Sequence, residues 1–356
     1  MTTPVRVLVV DDSAVMRQLL SSLLAEDPEI EVVGTAPDPL VARDRIKALN
    51  PDVLTLDVEM PHMDGVSFLR KIMTLRPMPV VMISTLTQAG AEVTLEALEI
   101  GAVDFIAKPV NNVAQELAAI ADDLRLKVKT AARTKVSAHR PAPAPRPKQH
   151  KFVSSGDKVV LIGASTGGVE ALKVVLMGLP EDCPPVLITQ HMPPRFTAAF
   201  ASRLNRECPM TVSEAQHGDV VEQGHVYIAP GSHHLEIVRK GGGFACALHD
   251  APPVSGHRPS VDVLFRSGAK VLGSKGVGVI LTGMGKDGAE GMVEFRRAGA
   301  TTIGQDEATS LIYGMPRVAF EKGAVGKQYS LSHVADAILE NCGTVTSESP
   351  QARKVS

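Results

Sequence analysis

The sequence lacks paired cysteines and long apolar runs, and each absence excludes a class of protein. Its four cysteines are scattered without a CxxC pair, so we expect neither a zinc site nor a disulfide scaffold. No apolar run approaches the roughly 18 residues of a membrane span. The N-terminus, MTTPVRVLVVDDS, has neither the basic start nor the long apolar core of a signal peptide. These absences predict a cytoplasmic protein with no direct membrane insertion.

The sequence also lacks an excess of charge of either sign. A net charge of −2 gives no reason to expect a nucleic-acid partner or an anionic membrane. The apolar content of 44% and the charged content of 21% are ordinary for a globular protein. Because domains commonly hold about 100–200 residues, the 356 residues predict roughly two of them.

The first half of the chain alternates short apolar runs with segments of helical period. Because five strands alternating with five helices favour a parallel sheet covered on both faces, this half is predicted to be a flavodoxin-like (βα)5 domain over residues 1–125. The apolar runs are VRVLVV from Val5, EVVGT from Glu31, DVLTLD from Asp52, VVMIS from Val80 and DFIAK from Asp104.

A change of composition follows this half. No acidic residue occurs between Leu124 and Gly156, and the centre of that stretch reads HRPAPAPRPKQH. Proline at this density opposes helix and sheet and favours extended polyproline II backbone. We expect a semi-rigid, Pro-rich basic linker over 126–155. A docking role for its positive charge is the alternative.

The second half resumes the alternation, with KVVLIG, PVLITQH, VGVILTG and TTIGQ as apolar runs between helical segments. Three further runs, HVYIAP, HLEIV and FACALH, resemble hairpin strands. The pattern predicts a doubly wound α/β domain over 156–345, with a mostly parallel sheet and an antiparallel insertion. A flexible tail is expected over 346–356. The fold class is therefore α/β with two domains.

Polar residues follow several strands of the first half. Asp11 and Asp12 follow the first strand, Asp57 ends the third, Ser84 ends the fourth and Lys108 follows the fifth. Because sites in parallel sheets form at the carboxyl ends of strands, these side chains should meet. Clustered carboxylates favour a hard divalent cation such as Mg²⁺, which would assist phosphorylation of Asp57. Lys108 and the Ser84 hydroxyl would then hold phosphoryl oxygens.

A simpler interpretation of the first strand end is that Asp11, Asp12 and Ser13 cap the following helix, since Asp and Ser are good N-caps. The joint pattern nevertheless resembles the receiver domain of two-component response regulators. The segments VVDDS, LDVEMPHMDG and AKP carry this resemblance, over residues 5 to about 125.

The receiver resemblance implies specific roles. A histidine kinase would donate phosphate to Asp57, and Mg²⁺ would be held by Asp11, Asp12, Asp57 and the backbone carbonyl of Glu59. Phe105 occupies the place of a receiver switch aromatic, beside Ser84 and Lys108. Because Phe105 has no hydroxyl, a tyrosine-type hydrogen-bond switch is excluded.

The second half contains IGASTGG, in which residues 163–167 match G-x-S-x-G between a strand and a helix. This context predicts a strained turn that exposes Ser165 as a nucleophile, with the Thr166 backbone N–H available to an oxyanion. Two alternatives stay open, a helix cap and a dinucleotide-binding loop. A dinucleotide loop expects an acid near the end of the next strand, where this sequence has Gln190.

His191 and Asp287 favour the nucleophile. His191 ends the next strand and is a candidate general base. Asp287, in GMGKDG, follows a later strand and would orient the histidine, with an ordinary N-cap as the less favoured alternative. The order Ser, His, Asp differs from the order in α/β-hydrolases, so we expect a different fold.

The second half resembles the chemotaxis protein-glutamate methylesterase family over about 158–340. The resemblance implies a triad of Ser165, His191 and Asp287, with the backbone of Met284 contributing to the oxyanion hole and no cofactor in this domain. The substrates would be glutamyl methyl esters, and also glutamines, of methyl-accepting chemoreceptors. The segments that carry it are GASTGG, ITQHMPPRFTAAFASRLN, VYIAPGSHHLEI, GHRPSVDVLF, VGVILTGMGKDGAEGM and YGMPRVA.

Two other classes of protein remain as rivals. A response regulator whose second half only binds nucleotide or DNA would share the first half, but DNA binding calls for a basic face and a helix-turn-helix. The second half shows strand–helix alternation instead. A pure scaffold would need neither His191 nor Asp287 at strand ends.

Overall fold

The computed structural model describes residues 3–61, 63–85, 87–108, 113–134, 136, 150–154 and 158–347. The chain divides into two compact units, Met1–Pro141 and Ala142–Ser356. In the described part, no helix is both long enough and apolar enough to cross a bilayer.

The first unit is a parallel five-stranded sheet with the strand order β2-β1-β3-β4-β5. This order confirms the flavodoxin-like prediction. The strands are β1 Val5–Val10, β2 Ile30–Ala36, β3 Val53–Asp57, β4 Val80–Ser84 and β5 Asp104–Ala107, and the helices are α1 Ala14–Ala25, α2 Pro39–Leu49, α3 Gly65–Leu75, α4 Gln88–Ile100 and α5 Val113–Ala132.

The register of this sheet brings its functional residues to one edge. Val10 pairs with Leu56, so Asp11 and Asp57 follow neighbouring positions. Ser84 pairs with Ala107, which places Lys108 beside the end of β4. Every residue of β3 and β4 is buried, as expected for strands covered on both faces. The edge therefore combines polar side chains with an apolar sheet beneath them.

The second unit is built on a parallel seven-stranded sheet with the order β15-β14-β13-β7-β8-β10-β9 and a separate antiparallel pair, β11–β12. Its strands are β6 His150–Ser154, β7 Val159–Ala164, β8 Val186–Gln190, β9 Thr211–Glu214, β10 His225–Ile228, β11 His234–Lys240, β12 Gly243–His249, β13 Gly276–Ile280, β14 Thr301–Gln305, β15 Lys327–Tyr329 and β16 Gly343–Ser347, and its helices are α6 Gly168–Met177, α7 Phe196–Glu207, α8 Val261–Val271, α9 Ala289–Arg297, α10 Met315–Glu321 and α11 Leu331–Cys342.

One strand of this unit differs from the sequence interpretation. The run HVYIAP suggested a hairpin, but β10 lies in the main sheet, parallel to both β8 and β9. The antiparallel insertion consists of β11 and β12, which correspond to HLEIV and FACALH. A four-residue apolar run has too few residues for its period to identify its partner strand, because the pairing depends on tertiary packing.

The ends of the expected linker and tail also carry regular structure. Helix α5 continues to Ala132, past the expected domain end at 125. At the other side, β6 pairs antiparallel with β16, which includes the first two residues of the expected tail. Most of the Pro-rich centre of the linker, and residues 348–356 of the tail, lie outside the described residues. The expected boundaries stay predictions.

Candidate phosphoacceptor and active sites

The first unit brings three carboxylates and a lysine together at the edge of its sheet. Asp57 is 1% exposed and Asp11 is fully buried, whereas Asp12 is exposed. Lys108 Nζ lies 2.8 Å from Asp57 Oδ2 and 3.2 Å from Asp11 Oδ2. One oxygen from each of the three carboxylates lies within 4.8 Å of the others. This all-oxygen donor set fits a hard divalent cation such as Mg²⁺.

The electrostatics of this site leave Asp57 with little stabilisation of its charge. Burial and, to a smaller extent, the nearby Asp11 carboxylate outweigh the opposing effect of Lys108 and raise the pKa of Asp57 to about 6. The backbone N–H of Glu59 donates to Asp57 Oδ1 over a long 3.3 Å. Burial lowers the pKa of Lys108, but its ion pairs with Asp57 and Asp11 outweigh this and leave that pKa raised.

Ser84, predicted to contact a phosphoryl group, has its hydroxyl bonded to helix α4. Thr94 Oγ1 lies 2.6 Å from Ser84 Oγ, and Ser84 Oγ lies 3.3 Å from the carbonyl of Gly90. Both hydroxyls are fully buried. Phe105 is also buried, and the Lys127 ammonium donates to its carbonyl at 2.9 Å. The ring is thus packed inside the unit.

The cap interpretation of the first strand end is correct for one residue. Ser13 caps α1, because its hydroxyl accepts from the Met16 N–H at 3.3 Å. Asp11 Oδ1 accepts from the Ser13 N–H at 2.9 Å, which orients the carboxylate. Its other oxygen faces Lys108. The capping turn and the carboxylate cluster therefore coexist.

In the second unit, the sheet register places Ser165 beside His191. The last residues of β7 and β8, Ala164 and Gln190, are paired, so the next residue of each strand lies at the same edge. The backbone N–H of His191 donates to the Ala164 carbonyl at 3.2 Å. The Ser165 N–H donates to the Thr282 carbonyl at 3.0 Å, which ties the turn to the loop after β13.

The turn after Ser165 is tight, and its positive φ falls on a glycine. Gly167 has φ of 78°, a conformation that costs glycine little, so the strain predicted for this turn does not fall on the serine. The side chain of Gln190 supports the turn by donating to the carbonyls of Ser165 at 3.0 Å and His191 at 3.2 Å. A Cβ at Gly168 would lie only 2.0 Å from Gln190 Oε1. From sequence, Gln190 counted only against a dinucleotide loop.

His191 and Asp287 form a hydrogen-bonded pair. His191 Nε2 lies 2.8 Å from Asp287 Oδ2, and both side chains are buried. With Nε2 bound to the carboxylate, Nδ1 is the basic nitrogen, and this buried atom has no hydrogen-bond partner within the described residues. The pair presents one unpaired basic nitrogen beside the serine turn.

Asp287 lies at the N-terminus of helix α8. Its carboxylate accepts from Ser260 Oγ at 2.8 Å, from the Val261 N–H at 2.7 Å and from the Asp262 N–H at 3.1 Å. Burial raises the pKa of Asp287, but the bonds from His191 and these donors outweigh it, so the pKa is lowered. The N-cap alternative is wrong for α9, the helix that follows Asp287, because its N-cap residue is Gly288 and no side chain caps it. The Asp287 carboxylate instead binds backbone N–H groups at the start of α8.

A second buried carboxylate, which sequence reasoning missed, completes this arrangement. Asp262, in the first turn of α8, accepts from the Gly291 N–H in α9 at 2.7 Å and from Ser255 Oγ at 3.1 Å. Burial and the nearby Asp287 charge raise its pKa. The two helices are thus joined by reciprocal bonds. Asp287, just before α9, binds backbone N–H groups of α8, and Asp262, in α8, binds a backbone N–H of α9. These bonds fix the loop that carries Asp287. Only the tertiary contact of α8 with α9 reveals them.

Other loops lie against the pair. The ring of His257 stacks on that of His191, with centroids 3.8 Å apart and planes 11° from parallel. A Cβ at Gly283 would lie 2.8 Å from Ser165 Cβ, so the neighbouring Met284 is carried close to the serine. Thr166 is buried and follows Ser165 directly. Both residues predicted for an oxyanion hole therefore lie next to the serine turn.

Comparisons with known proteins identify the family of each half of the chain. The family model "CheB methylesterase" matches residues 160–338, and the model "Response regulator receiver domain" matches residues 7–121. The chain is 58% identical to "Protein-glutamate methylesterase/protein-glutamine glutaminase 1" of Caulobacter vibrioides, over 94% of this chain and 97% of that protein. It is 54% identical to the Salmonella typhimurium "Protein-glutamate methylesterase/protein-glutamine glutaminase", over 94% and 96%.

A solved structure, the Thermotoga maritima CheB methylesterase catalytic domain, matches the second half. It is 37% identical with a TM-score of 0.51, and the match covers 51% of this chain and 97% of that one. The family model and the relatives lead to the same assignment. The chain belongs to the CheB methylesterase family and carries a response regulator receiver domain before its esterase domain.

Proposed function

We propose that this chain is a phosphorylation-activated serine hydrolase of chemotaxis adaptation. It demethylates glutamyl methyl esters of methyl-accepting chemoreceptors, releases methanol, and deamidates receptor glutamines. The observation that carries this proposal is the hydrogen bond of 2.8 Å between His191 and Asp287 at the strand edge that also holds Ser165. The names of the relatives supply the substrate class.

In the proposed mechanism, Ser165 attacks the ester carbonyl and His191 Nδ1 takes the hydroxyl proton. Asp287 holds the imidazole with its hydrogen on Nε2. The backbone N–H groups of Thr166 and Met284 stabilise the oxyanion. His191 then returns the proton to the leaving methoxide, and water hydrolyses the glutamyl-enzyme by the same route. A glutamine side chain reacts in the same way and releases ammonia.

The receiver domain supplies the control. A histidine kinase of the chemotaxis system donates a phosphoryl group to Asp57, and Lys108 binds one of its oxygens. The Ser84 hydroxyl turns from Thr94 to donate to another oxygen, with Phe105 as the switch aromatic. Mg²⁺, when bound, neutralises charge on the transferring group. The proposed ligands are Asp11, Asp12, Asp57 and the backbone carbonyl of Glu59.

The test is methanol release from receptor membranes that carry radiolabelled methyl esters. We expect the full chain to release methanol, and to do so faster when Mg²⁺ and a small phosphodonor such as acetyl phosphate are both present. A regulator that only binds would release none. If methanol release did not depend on the phosphodonor, the proposed esterase activity would stand, but its proposed control by phosphorylation would be wrong.

A further inference from the structure

His234 is a buried histidine outside the proposed triad. It begins strand β11 and is fully buried. Its Nδ1 accepts from the Ser260 N–H at 3.2 Å, and its Nε2 lies 3.2 Å from the carbonyl oxygen of Pro252. A backbone N–H only donates and a carbonyl only accepts. The two partners therefore require a neutral imidazole with its hydrogen on Nε2.

The residue that His234 holds is the one that holds Asp287. Ser260 is the N-cap residue of α8, and its hydroxyl donates to Asp287 Oδ1 at 2.8 Å. The next two backbone N–H groups, of Val261 and Asp262, bind the same carboxylate. The position of the Ser260 backbone therefore sets three of the donors that orient Asp287, and His234 anchors that backbone through the Ser260 N–H.

We propose that neutral His234 is a positioning residue for the esterase reaction, which holds the N-terminus of α8 in place so that Asp287 orients His191. This inference rests on the proposed function, because it assumes that the His191–Asp287 pair serves catalysis. His234 does not contact the reacting atoms. Its effect reaches them through Ser260 and Asp287.

Protonation of His234 would disrupt this arrangement, because an Nδ1–H would then face the Ser260 N–H, donor against donor. The groups around the imidazole bear on its charge. Burial lowers the pKa of His234, and the nearby His249 and Arg258 also lower it, while the Pro252 carbonyl and Asp287 oppose them. The His249 ring centroid lies 5.1 Å from that of His234, and His249 Nε2 lies 3.8 Å from Glu236 Oε2. The net effect lowers the pKa of His234, which favours the neutral form.

Two substitutions separate the two hydrogen bonds. In His234→Asn, the side-chain oxygen can take the place of Nδ1 and accept from Ser260, but the bond to Pro252 is lost. In His234→Gln, the side-chain NH₂ can take the place of Nε2 and donate to Pro252, but the acceptor for Ser260 is lost. The pair is matched in chemistry and in the loss of the ring, so the difference between them reports on the Ser260 bond.

The experiment measures kcat and KM for methanol release by the full-length variants on methylated receptor membranes. We expect kcat of His234→Asn within about fivefold of wild type and kcat of His234→Gln lower by about 10²-fold, with KM little changed in both, since a small misplacement of catalytic groups costs rates of that order. Equal kcat values for the two variants would overturn the proposal, because the loss of activity would then come from the loss of the imidazole ring and not from the loss of the bond to Ser260.

The pH profile supplies a readout that a merely structural role would not change. On the acidic side of the profile, log kcat of wild type should fall more steeply than that of His234→Asn, because wild type can protonate both His191 and His234, whereas asparagine at position 234 takes up no proton. Parallel acid limbs would contradict the proposal. Retention of methanol release by Ser165→Ala would instead contradict the proposed function, so the two failures are distinguishable.

A measurement on the wild-type chain guards against variants that do not fold. Nitrogen-15 NMR of the full chain with labelled histidine reports which ring nitrogen of His234 bears hydrogen. We expect the neutral form with hydrogen on Nε2 at pH 7.5. Hydrogen on Nδ1 at that pH would overturn the proposal, whatever the variants show.

Discussion

The two sites of this protein each contain a buried aspartate, and the two carboxylates have opposite electrostatics. Asp57 and Asp287 are both 1% exposed. Burial raises the pKa of Asp57 to about 6, whereas the pKa of Asp287 is lowered because its hydrogen-bond donors outweigh its burial. Asp287 accepts from a hydroxyl, two backbone N–H groups and His191. The donors, rather than the depth of burial, decide which carboxylate is stable as an anion.

This difference suits the two proposed roles. Asp57 has one long backbone bond from Glu59 and shares Lys108 with Asp11, so its anion is poorly stabilised and suited to react with a phosphoryl group. Asp287 is held by four donors and is suited to stay charged and to fix an imidazole. Four substitutions or conditions test this contrast.

Removal of the Ser165 hydroxyl should have the largest effect, because it should abolish esterase activity and leave phosphorylation of the receiver site unchanged. In Ser165→Ala, we expect kcat for methanol release to fall by about 10⁴- to 10⁶-fold, as with other triad nucleophiles. Phosphorylation of Asp57 by acetyl phosphate should continue, because the substitution changes no residue of the receiver site. Ser202→Ala, on the exposed face of α7, is the matched control and should retain activity. Near-normal release by Ser165→Ala would exclude this residue as the nucleophile.

Asp287→Asn tests the orienting carboxylate. The amide can no longer accept from all four donors, and it can present an NH₂ to His191, which favours the wrong tautomer. We expect kcat to fall by about 10³- to 10⁴-fold with KM little changed. Steady-state methanol release measures both constants. If kcat fell less than tenfold, Asp287 would be a helix cap without a catalytic role.

Asp57→Asn tests the other half of the contrast. Because asparagine cannot form an acyl phosphate, acetyl phosphate with Mg²⁺ should no longer accelerate methanol release, and the activation ratio should fall to about one. Asp122→Asn, whose side chain is 89% exposed, is the control and should respond as wild type does. Acceleration of Asp57→Asn by the phosphodonor would place the phosphoacceptor elsewhere.

The smallest expected effect is on stability. Because the folded pKa of Asp57 lies near 6 and the unfolded value near 4, the folded state binds the extra proton between these values. The contribution of Asp57 to the free energy of unfolding therefore rises as pH falls from 7 to 4. Asp287 has a lowered pKa, so its contribution is present above about pH 4 and is lost below it.

We therefore expect Asp57→Asn to increase the free energy of unfolding more at pH 7 than at pH 5, by about 1 kcal/mol. Urea denaturation of the full chain at both pH values measures this difference. A larger gain at pH 5 than at pH 7 would show that the charge of Asp57 is not destabilising.

Much of both sites could be predicted, because the positions of the strand ends and the types of residue found there were sufficient to identify the site residues. Asp11, Asp57 and Lys108 follow apolar runs, and parallel pairing brings such positions together. The same reasoning placed Ser165 beside His191. In each case the prediction needed only the order of the elements and one polar residue at each strand end.

The rest depended on contacts that no local pattern encodes. Three of the four donors to Asp287 come from residues 25 to 27 positions earlier, at a helix N-terminus whose direction is set by packing. His234 and Asp262 act through backbone groups, which have no sequence signature. The parallel pairing of β10 was missed for a similar reason, since a short apolar run does not specify its neighbours.

The opposite roles that we propose for Asp57 and Asp287 can be tested directly by chemical trapping. The full chain would be incubated with acetyl phosphate and Mg²⁺ and then treated with borohydride, which reduces an aspartyl phosphate to homoserine, and the modified residue would be located by peptide mass spectrometry. We expect homoserine at position 57 and unmodified aspartate at position 287. Homoserine at 287, or its absence at 57, would contradict the proposed roles.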